Sequence, residues 1–486
     1  MKMQHRWIGA MALGGFMMSS AMALPAFGGD VLTEVLREKG VINKEDWIRI
    51  EADREKKAAS STEKKKSKDT LAIPFWSKKG FGFETEDGNW RTSLQWRFQG
   101  RYTFPERSDP RTATDFSDNA ESSFELRRVR MKIGGNGYKP WIKYYFEVDL
   151  QPGRTFGDSS SKASTRLIDW RITIDKYKWL QLRLGQWKVN YNRERVDSSG
   201  KQQFVERSIV NRVFTIDRQI GAMVYGHLFP GTRADSRYFV GVFTGSGRGL
   251  EKNDDSNMMY MGRFQWNFLG RDLKFKQSDT KYHEHPTASI AVGGYTTIGR
   301  CTRWSSSGCG SLGSAPNGPA TGFTSAKNAV NGQFRVEGMV EELAFKWRGL
   351  SFQHEYHWKR VKDAGRAGKA GTTAAMLPVT SFVAMINPVA PSTTVLMGSY
   401  AQVGYFFHYL VPVIPKPLET AFRYAFVDPD VGATGDFRQE FTGALNWFFA
   451  GHRNKLTIDA SHLTLDQVAS ARLTEQRVRL QWDVSF

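Results

Sequence analysis

The sequence predicts an all-β protein, a transmembrane antiparallel β-barrel of about sixteen strands preceded by a short N-terminal helical segment. Three observations carry this expectation. From about residue 80 onward, segment after segment alternates apolar and polar residues with period two. The chain opens with the features of an exported protein. It closes on Phe486, an aromatic on the apolar face of its last strand, as outer-membrane barrels do.

The opening reads MKMQHRWIGAMALGGFMMSSAMALPAFGG. Lys2 and Arg6 give a charged start, Ile8–Met18 an apolar run, and Ala21-Met22-Ala23 a small-residue cleavage site, so residues 1–23 are expected to be a signal peptide. A retained anchor is the alternative, but its apolar core is short. No later stretch approaches the roughly 20 apolar residues of a transmembrane helix. Residues 24–80 are expected to form a periplasmic helical segment and charged linker. Val31, Leu32, Val35 and Leu36 have helical spacing, Gly40 marks a stop, and DREKKAASSTEKKKSKD (53–69) reads as flexible.

Residues 81–486 are the expected barrel. RTSLQWRFQGRYTF (91–104) sets Leu94, Trp96, Phe98, Tyr102 and Phe104 on one face and Arg91, Arg97 and Arg101 on the other. Such a strand suits a soluble sheet with water on its polar face, or a barrel with lipid outside and water inside. Similar segments recur near 122–134, 140–151, 166–175, 178–188, 219–229, 236–245, 258–268, 286–297, 332–347, 349–361, 396–410, 417–428, 437–450, 453–464 and 474–486. Ten residues tilted by about 45° rise roughly 23 Å, the height of a barrel's apolar band. Soluble strands average about 5–6 residues. Length, export signal and terminal aromatic together favour the membrane barrel. The mean hydropathy of −0.47 is compatible with it, because only alternate residues meet lipid.

The chain of 486 residues carries a net charge of +19, which predicts anionic partners. Much of that charge sits on the polar face of the strands. Alternation assigns Arg91, Arg97, Arg101, Arg128, Arg130, Lys132, Lys143, Arg171, Arg183, Arg263, Arg477 and Arg479 to the lumen, against Glu147, Asp149, Asp169, Asp175 and Asp483. A water-filled pore with excess positive charge concentrates anions, and arginine presents forked donors that suit phosphate oxygens. The segment 185–221 breaks the alternation. It holds Lys188, Arg193, Arg195, Lys201, Arg207, Arg212 and Arg218 against Glu194, Asp197, Glu206 and Asp217. A connection this long is functional as a rule. It either folds inward and narrows the pore or stands outside against lipopolysaccharide or a neighbouring subunit.

FELRRVRMKIGG (124–135), LRLGQWKVNYNRERVDSSGKQQFVERS (182–208), DRQIG (217–221), YFVGVFTGSG (238–247), RYAFVDPD (423–430) and GALNWFFAGHRNKLTIDA (443–460) resemble the phosphate-selective porin O/P family of Gram-negative outer membranes, over roughly residues 80–486. The resemblance implies a sixteen-stranded homotrimeric barrel with an inward-folded third loop and a lumen lined by arginine and lysine. It carries over Arg127, Arg128 and Arg130 from the second strand, and Lys188, Arg193, Arg195, Arg207 and Arg218 from the loop region. Arg127 shares a face with Val129 by strict alternation, so it reaches the pore only at the rim or beside a bulge. Asn190 stands where the family often has proline. Members differ in substrate, some preferring phosphate and others polyphosphate.

The function expected is therefore a water-filled, anion-selective outer-membrane channel for phosphate or related oxyanions. A general anion-preferring porin is the alternative. An outer-membrane barrel enzyme would need a nucleophile and base, and none can be assigned. A nucleic-acid binder would cluster its basic residues on one patch rather than alternate them within strands. No cofactor or metal is expected. Cys301 and Cys309 lie in one Gly/Ser-rich loop; a disulfide suits an exported protein, free thiols are the alternative, and two cysteines without nearby histidines do not fill a zinc shell.

Overall fold

The computed structural model describes residues 36–50, 52–54, 56–57, 72–77, 80–105, 122–150, 165–249, 253, 256–305, 308–310, 312, 333–364, 393–466 and 471–486. The expected signal peptide, Val31, Leu32 and Val35, and nearly all of the linker fall outside these residues. The chain divides into two units, 1–71 and 72–486.

In the first unit, helical turns at 36–38 and 44–50 flank Gly40. Gly40 adopts φ +69°, a left-handed value that suits glycine and ends the first turn at the expected place. The Asn43 side chain caps the second helix by accepting from the Asp46 N–H at 2.8 Å. The Arg37 guanidinium lies 5.2 Å from the Trp47 ring centroid.

The second unit is a closed antiparallel barrel. In chain order its strands are β1 (Ala72–Ser77), β2 (Gly80–Thr85), β3 (Arg91–Phe104), β4 (Ser123–Gly137), β5 (Lys139–Asp149), β6 (Arg166–Ile174), β7 (Gln181–Lys188), β8 (Arg218–Leu228), β9 (Ser236–Phe243), β10 (Met259–Trp266), β11 (Thr287–Gly299), β12 (Arg303–Ser305), β13 (Gly308–Gly310), β14 (Phe334–Trp347), β15 (Leu350–Asp363), β16 (Thr393–Tyr405), β17 (Leu418–Asp428), β18 (Arg438–Phe448), β19 (Asn454–Leu465) and β20 (Leu473–Ser485). The wall is β3–β11 and β14–β20. Each strand pairs with the next, and β20 closes the ring on β3 from Val478↔Phe104 to Ser485↔Arg97. Phe486 completes the seam by exchanging both backbone hydrogen bonds with Trp96, at 2.7 and 3.1 Å. These sixteen strands fall within a few residues of the expected segments.

Two hairpins lie outside the wall pattern. β1 and β2 pair with each other, and β2 continues along the edge of β3 below the point where β20 stops, Phe81↔Leu94 to Glu84↔Arg91. The expected domain boundary near residue 81 falls inside this hairpin. β12 and β13 form a short hairpin in the loop after β11, clamped by the Cys301–Cys309 disulfide.

Two bulges shift the inward face by one residue. Gln99 pairs with Arg128 but Gly100 pairs with Leu126, so Arg127 is the extra residue and points inward beside Arg128. Glu147 pairs with Asp169 but Val148 pairs with Leu167. Ile168, which alternation puts on the lipid face, is therefore buried, and Leu167 takes the outer position.

One end of the barrel carries short connections such as Arg348-Gly349, both at positive φ; the other carries long loops. By the general rule for such barrels the short turns are periplasmic. Residues 267–286, between β10 and β11, depart from that rule. They turn back inside, where the Gln265 side chain donates to the Leu273 carbonyl and Ser278 donates to Glu419. The outer face is apolar: Phe124, Leu126, Val240, Phe264, Val292, Met339, Leu445 and Val478 are exposed, with Trp179, Trp266, Trp347 and Trp482 toward the turn end.

The seam gives a test. Deleting Phe486 removes both hydrogen bonds to Trp96 and the ring stacked at 5.8 Å on Phe98. The temperature at which the folded barrel loses its fast gel migration should fall, by about 2–5 °C for Phe486→Ala and further for the deletion.

Candidate functional site

The connection between β7 and β8, residues 189–217, lies inside the barrel and includes two single-turn helices, α1 (Arg193–Val196) and α2 (Asn211–Phe214). Backbone buried there must find partners other than bulk water. Inward-facing carboxylates of the far wall supply many of them. Glu342 on β14 accepts from the Arg193 N–H at 3.1 Å and Glu355 on β15 from the Glu194 N–H at 2.6 Å. Asp459 on β19 accepts from the Val205 N–H and Glu440 on β18 from the Ile209 N–H, each at 2.9 Å. Lys359 on β15 donates to the carbonyls of Val213, at 2.9 Å, and Thr302, at 2.7 Å, tying the end of α2 to the disulfide-clamped hairpin.

Apolar packing holds the same loop. Ile209, Val210, Val213, Phe214 and Ile216 join inward-facing Met223, Phe239, Phe243, Met261, Tyr295, Val336, Val340 and Tyr400 in one buried cluster. Burying a side chain of this size contributes about 1.5–3 kcal/mol, so this half of the loop supplies most of the anchoring and the carboxylates fix its register. Gly404 on β16 leaves room for it: a Cβ there would lie 1.9 Å from Gln203 Nε2.

The loop covers the wall from β9 to β19 and leaves a cavity of about 440 Å³ against β3–β8. Its lining includes Arg97, Arg130, Lys132, Arg171, Arg183, Lys188, Lys201, Arg218 and Arg453, with His452 and two carboxylates, Glu147 and Asp169. Some of the cations are spent on acids. Arg130 bonds Glu147 at 2.9 Å and Asp149 at 3.3 Å, Arg171 bonds Asp169 at 3.1 Å, and Arg218 also bonds Asp169. Arg97 bonds Asp483 at 3.0 Å and reaches the loop at Ser199 at 3.1 Å. Gly200 lets the loop cross there, since a Cβ would lie 2.5 Å from Arg97 Nη2.

Among the described residues five cations of the lining lie beyond 4.0 Å from every carboxylate oxygen: Lys132, Arg183, Lys188, Lys201 and Arg453. Arg183 donates to the Tyr225 hydroxyl at 3.0 Å, and Lys188 to the Asp197 carbonyl at 3.4 Å.

A second basic cluster stands nearer the loop end. Arg101, Arg127 and Arg128 converge on Glu206 of the loop. Burial opposes ionisation of that carboxyl, yet Arg101, Arg128 and Arg127 hold it well below the usual range. At Asp197 burial outweighs the opposing charges of Lys201, Arg207 and Lys346 and pushes the carboxyl up to about 6.

The sequence profile of the phosphate-selective porin O and P family matches residues 106–486. The chain belongs to that family. The porin is therefore a channel of the Gram-negative outer membrane, not an enzyme. No curated protein matches its sequence. Among solved structures it is similar to the outer-membrane channel DcaP of Acinetobacter baumannii, with a TM-score of 0.48 and 11% identity over 83% of this chain and 99% of that one. It is also similar to an anion-selective porin from Comamonas acidovorans, with a TM-score of 0.46 and 10% identity over 81% and 99%.

Of the basic residues singled out in the sequence, Arg97, Arg130, Lys132, Arg171, Arg183, Lys188, Lys201 and Arg218 come together at the cavity. Arg101, Arg127 and Arg128 form the Glu206 cluster instead. Arg193 and Arg263 are not brought to either place. Arg263 points inward from β10 and Arg193 points from the loop to that wall, where Phe275 lies against both and Glu342 takes their charge. Arg195 bonds Asp217, and Arg207 donates to the carbonyls of Glu194 and Asp197, so both hold the loop to itself. Sequence reasoning missed Glu342, Glu355, Glu440 and Asp459, His452 and Arg453, and the inward course of 267–286. Glu355, Glu440 and Asp459 had a signal, since each sits on the polar face of an alternating strand; Glu342 had none, because it shares its inward face with Phe334, Val336, Val340 and Ala344.

Asp197 offers a pH test. Its value in the folded porin lies above the ordinary value of about 3.9, so ionisation costs stability. That cost sets in as pH rises from about 4 to about 6 and stays constant above. Asp197→Asn should therefore stabilise the porin at pH 8 by up to about 3 kcal/mol and make no difference at pH 4, measured by thermal unfolding in detergent.

Proposed function

We propose that this porin is an anion-selective channel for phosphate and related oxyanions, with its binding region in the cavity between the inward loop and β3–β8. The observation that carries this reading is the charge of the cavity: nine basic side chains against two carboxylates, with Lys132, Arg183, Lys188, Lys201 and Arg453 beyond ion-pair distance of any acid among the described residues. A low-dielectric wall around such a lining raises the local concentration of anions and excludes cations. Lysine ammonium groups on flexible stems and forked guanidinium groups both donate to oxyanion oxygens. Several weak sites in series allow an ion to enter and to leave. A homotrimer in contact with outer-membrane lipid and lipopolysaccharide belongs to the same reading, in keeping with the family and the apolar outer face. A general anion porin without an oxyanion preference is the competing reading.

Single-channel recording in a planar bilayer tests this. Under a salt gradient the reversal potential should lie on the anion side, and added phosphate should block chloride current. Lys132→Ala and Lys201→Ala should each raise the phosphate concentration for half-block about 5- to 10-fold, the size of one ordinary hydrogen bond. Anion selectivity without block would leave the general porin. Cation selectivity would end the proposal.

A further inference from the structure

We propose that Arg101, Arg127 and Arg128 form a second anion site and that Glu206 is its built-in competitor, a resident carboxylate that weakens the site enough for a passing oxyanion to leave. The inference rests on the anion-channel reading above. Arg101 Nη2, Arg127 Nε and Arg128 Nη2 lie 2.9, 3.0 and 3.4 Å from one oxygen, Glu206 Oε1. The bulge makes this possible, because without the extra residue Arg127 would face lipid beside Val129. Glu125 is more distant, at 3.8 Å from Arg101 and 3.7 Å from Arg127, so among the described residues three guanidinium groups meet two carboxylates. The cluster lies along β3 between the cavity residue Arg97 and the loop end, on the way into the lumen.

The surroundings let the carboxylate move and hold its backbone still. The Val205 N–H donates to Asp459 at 2.9 Å, Arg101 donates to the Val205 carbonyl at 3.2 Å, and Arg423 donates to the Glu206 carbonyl at 3.1 Å. The wall thus grips the chain on either side of the Glu206 side chain, which keeps 14% of its surface exposed. Rotation about its own bonds releases the three arginines without shifting the loop. An incoming oxyanion then exchanges one set of charge-assisted hydrogen bonds for another of the same kind. Three arginines with no resident anion would bind an oxyanion tightly and hold it, which conduction does not tolerate. A tethered carboxylate lowers the apparent affinity for every oxyanion and drives its departure.

The test uses the full-length porin in planar bilayers, with sulfate and inorganic phosphate as probes against chloride current. In Glu206→Gln, half-block should need about tenfold less of either anion, and individual block events should last longer by a similar factor. Adding Arg127→Gln to that variant should return both readings toward wild type, which localises the effect to this cluster. Should the Gln variant fail to fold, Glu206→Asp, whose carboxylate is drawn back by one methylene, should shift both readings the same way by a smaller factor. Unchanged block and unchanged event duration in a wild-type-selective channel would overturn the competitor alone. Noisier current with higher conductance for all ions and no slower block would mean that Glu206 only latches the loop, and would also overturn it. A wild-type channel with no anion preference would overturn the underlying reading and this inference together.

Discussion

The structure depends on one constraint: a loop placed inside a barrel must have its backbone hydrogen bonds met by the wall. Bulk water cannot reach most of residues 189–217, and unmet donors would each cost about 1–3 kcal/mol. The far wall answers with Glu342, Glu355, Glu440 and Asp459, each aimed at a loop N–H. Three of these acids are at the same time paired with wall arginines, Glu342 with Arg263, Glu440 with Arg423 and Asp459 with Arg479. The negative charge of the lumen is thereby concentrated under the loop and consumed there. What stays open is the other side, where cations outnumber acids.

This segregation changes what the net charge means. A composition of +19 predicts anionic partners without saying where they go. In the barrel, the arginines of the covered wall contribute nothing to an ion in the cavity except through the acids they neutralise. Local charge follows from coverage, and coverage follows from the apolar half of the loop. Ile209, Val210, Val213 and Phe214 seat against Val336, Val340, Tyr295 and Tyr400, and that seating decides which inward-facing side chains a permeating ion meets.

The strands were legible because period-two alternation reports two different solvents directly, and sixteen of them emerged within a few residues. The alternation fails at bulges. Arg127 carried the doubt that its phase was wrong, and the register shift at Gln99/Gly100 turns it inward. Ile168 carried no such doubt, and the shift at Glu147/Val148 buries it. Which inward residues line the cavity was not legible at all. Arg263 and Lys132 look alike in sequence, each a cation alternating with apolar neighbours, yet one lies beneath the loop and the other beside open space. A covered inner face does leave a trace, in strands such as YFVGVF (238–243) where both faces are apolar: Phe239 and Phe243 face the loop and Val240 and Val242 face outward. Read as a sign of inside packing, that trace would have marked the wall the loop covers.

The two arginine-rich regions also differ in how they are held, and the difference bears on their chemistry. Arg130 bonds Glu147 and Asp149 on the neighbouring β5, Arg171 bonds Asp169 on its own strand, and Arg218 on β8 reaches across β7 to the same Asp169. Pairs of this kind hold guanidinium groups in fixed directions, and a planar fork held in place loses little entropy when it binds. Lys132, Lys188 and Lys201 lie among them on flexible stems. A compact ammonium group can follow an ion over several ångströms, whereas a clamped guanidinium cannot. A lining that mixes the two offers fixed electrostatic walls with mobile donors between them. That arrangement favours brief, repeated contacts with a small anion over a single deep binding site, because no position in the cavity presents more than a few fixed donors at once.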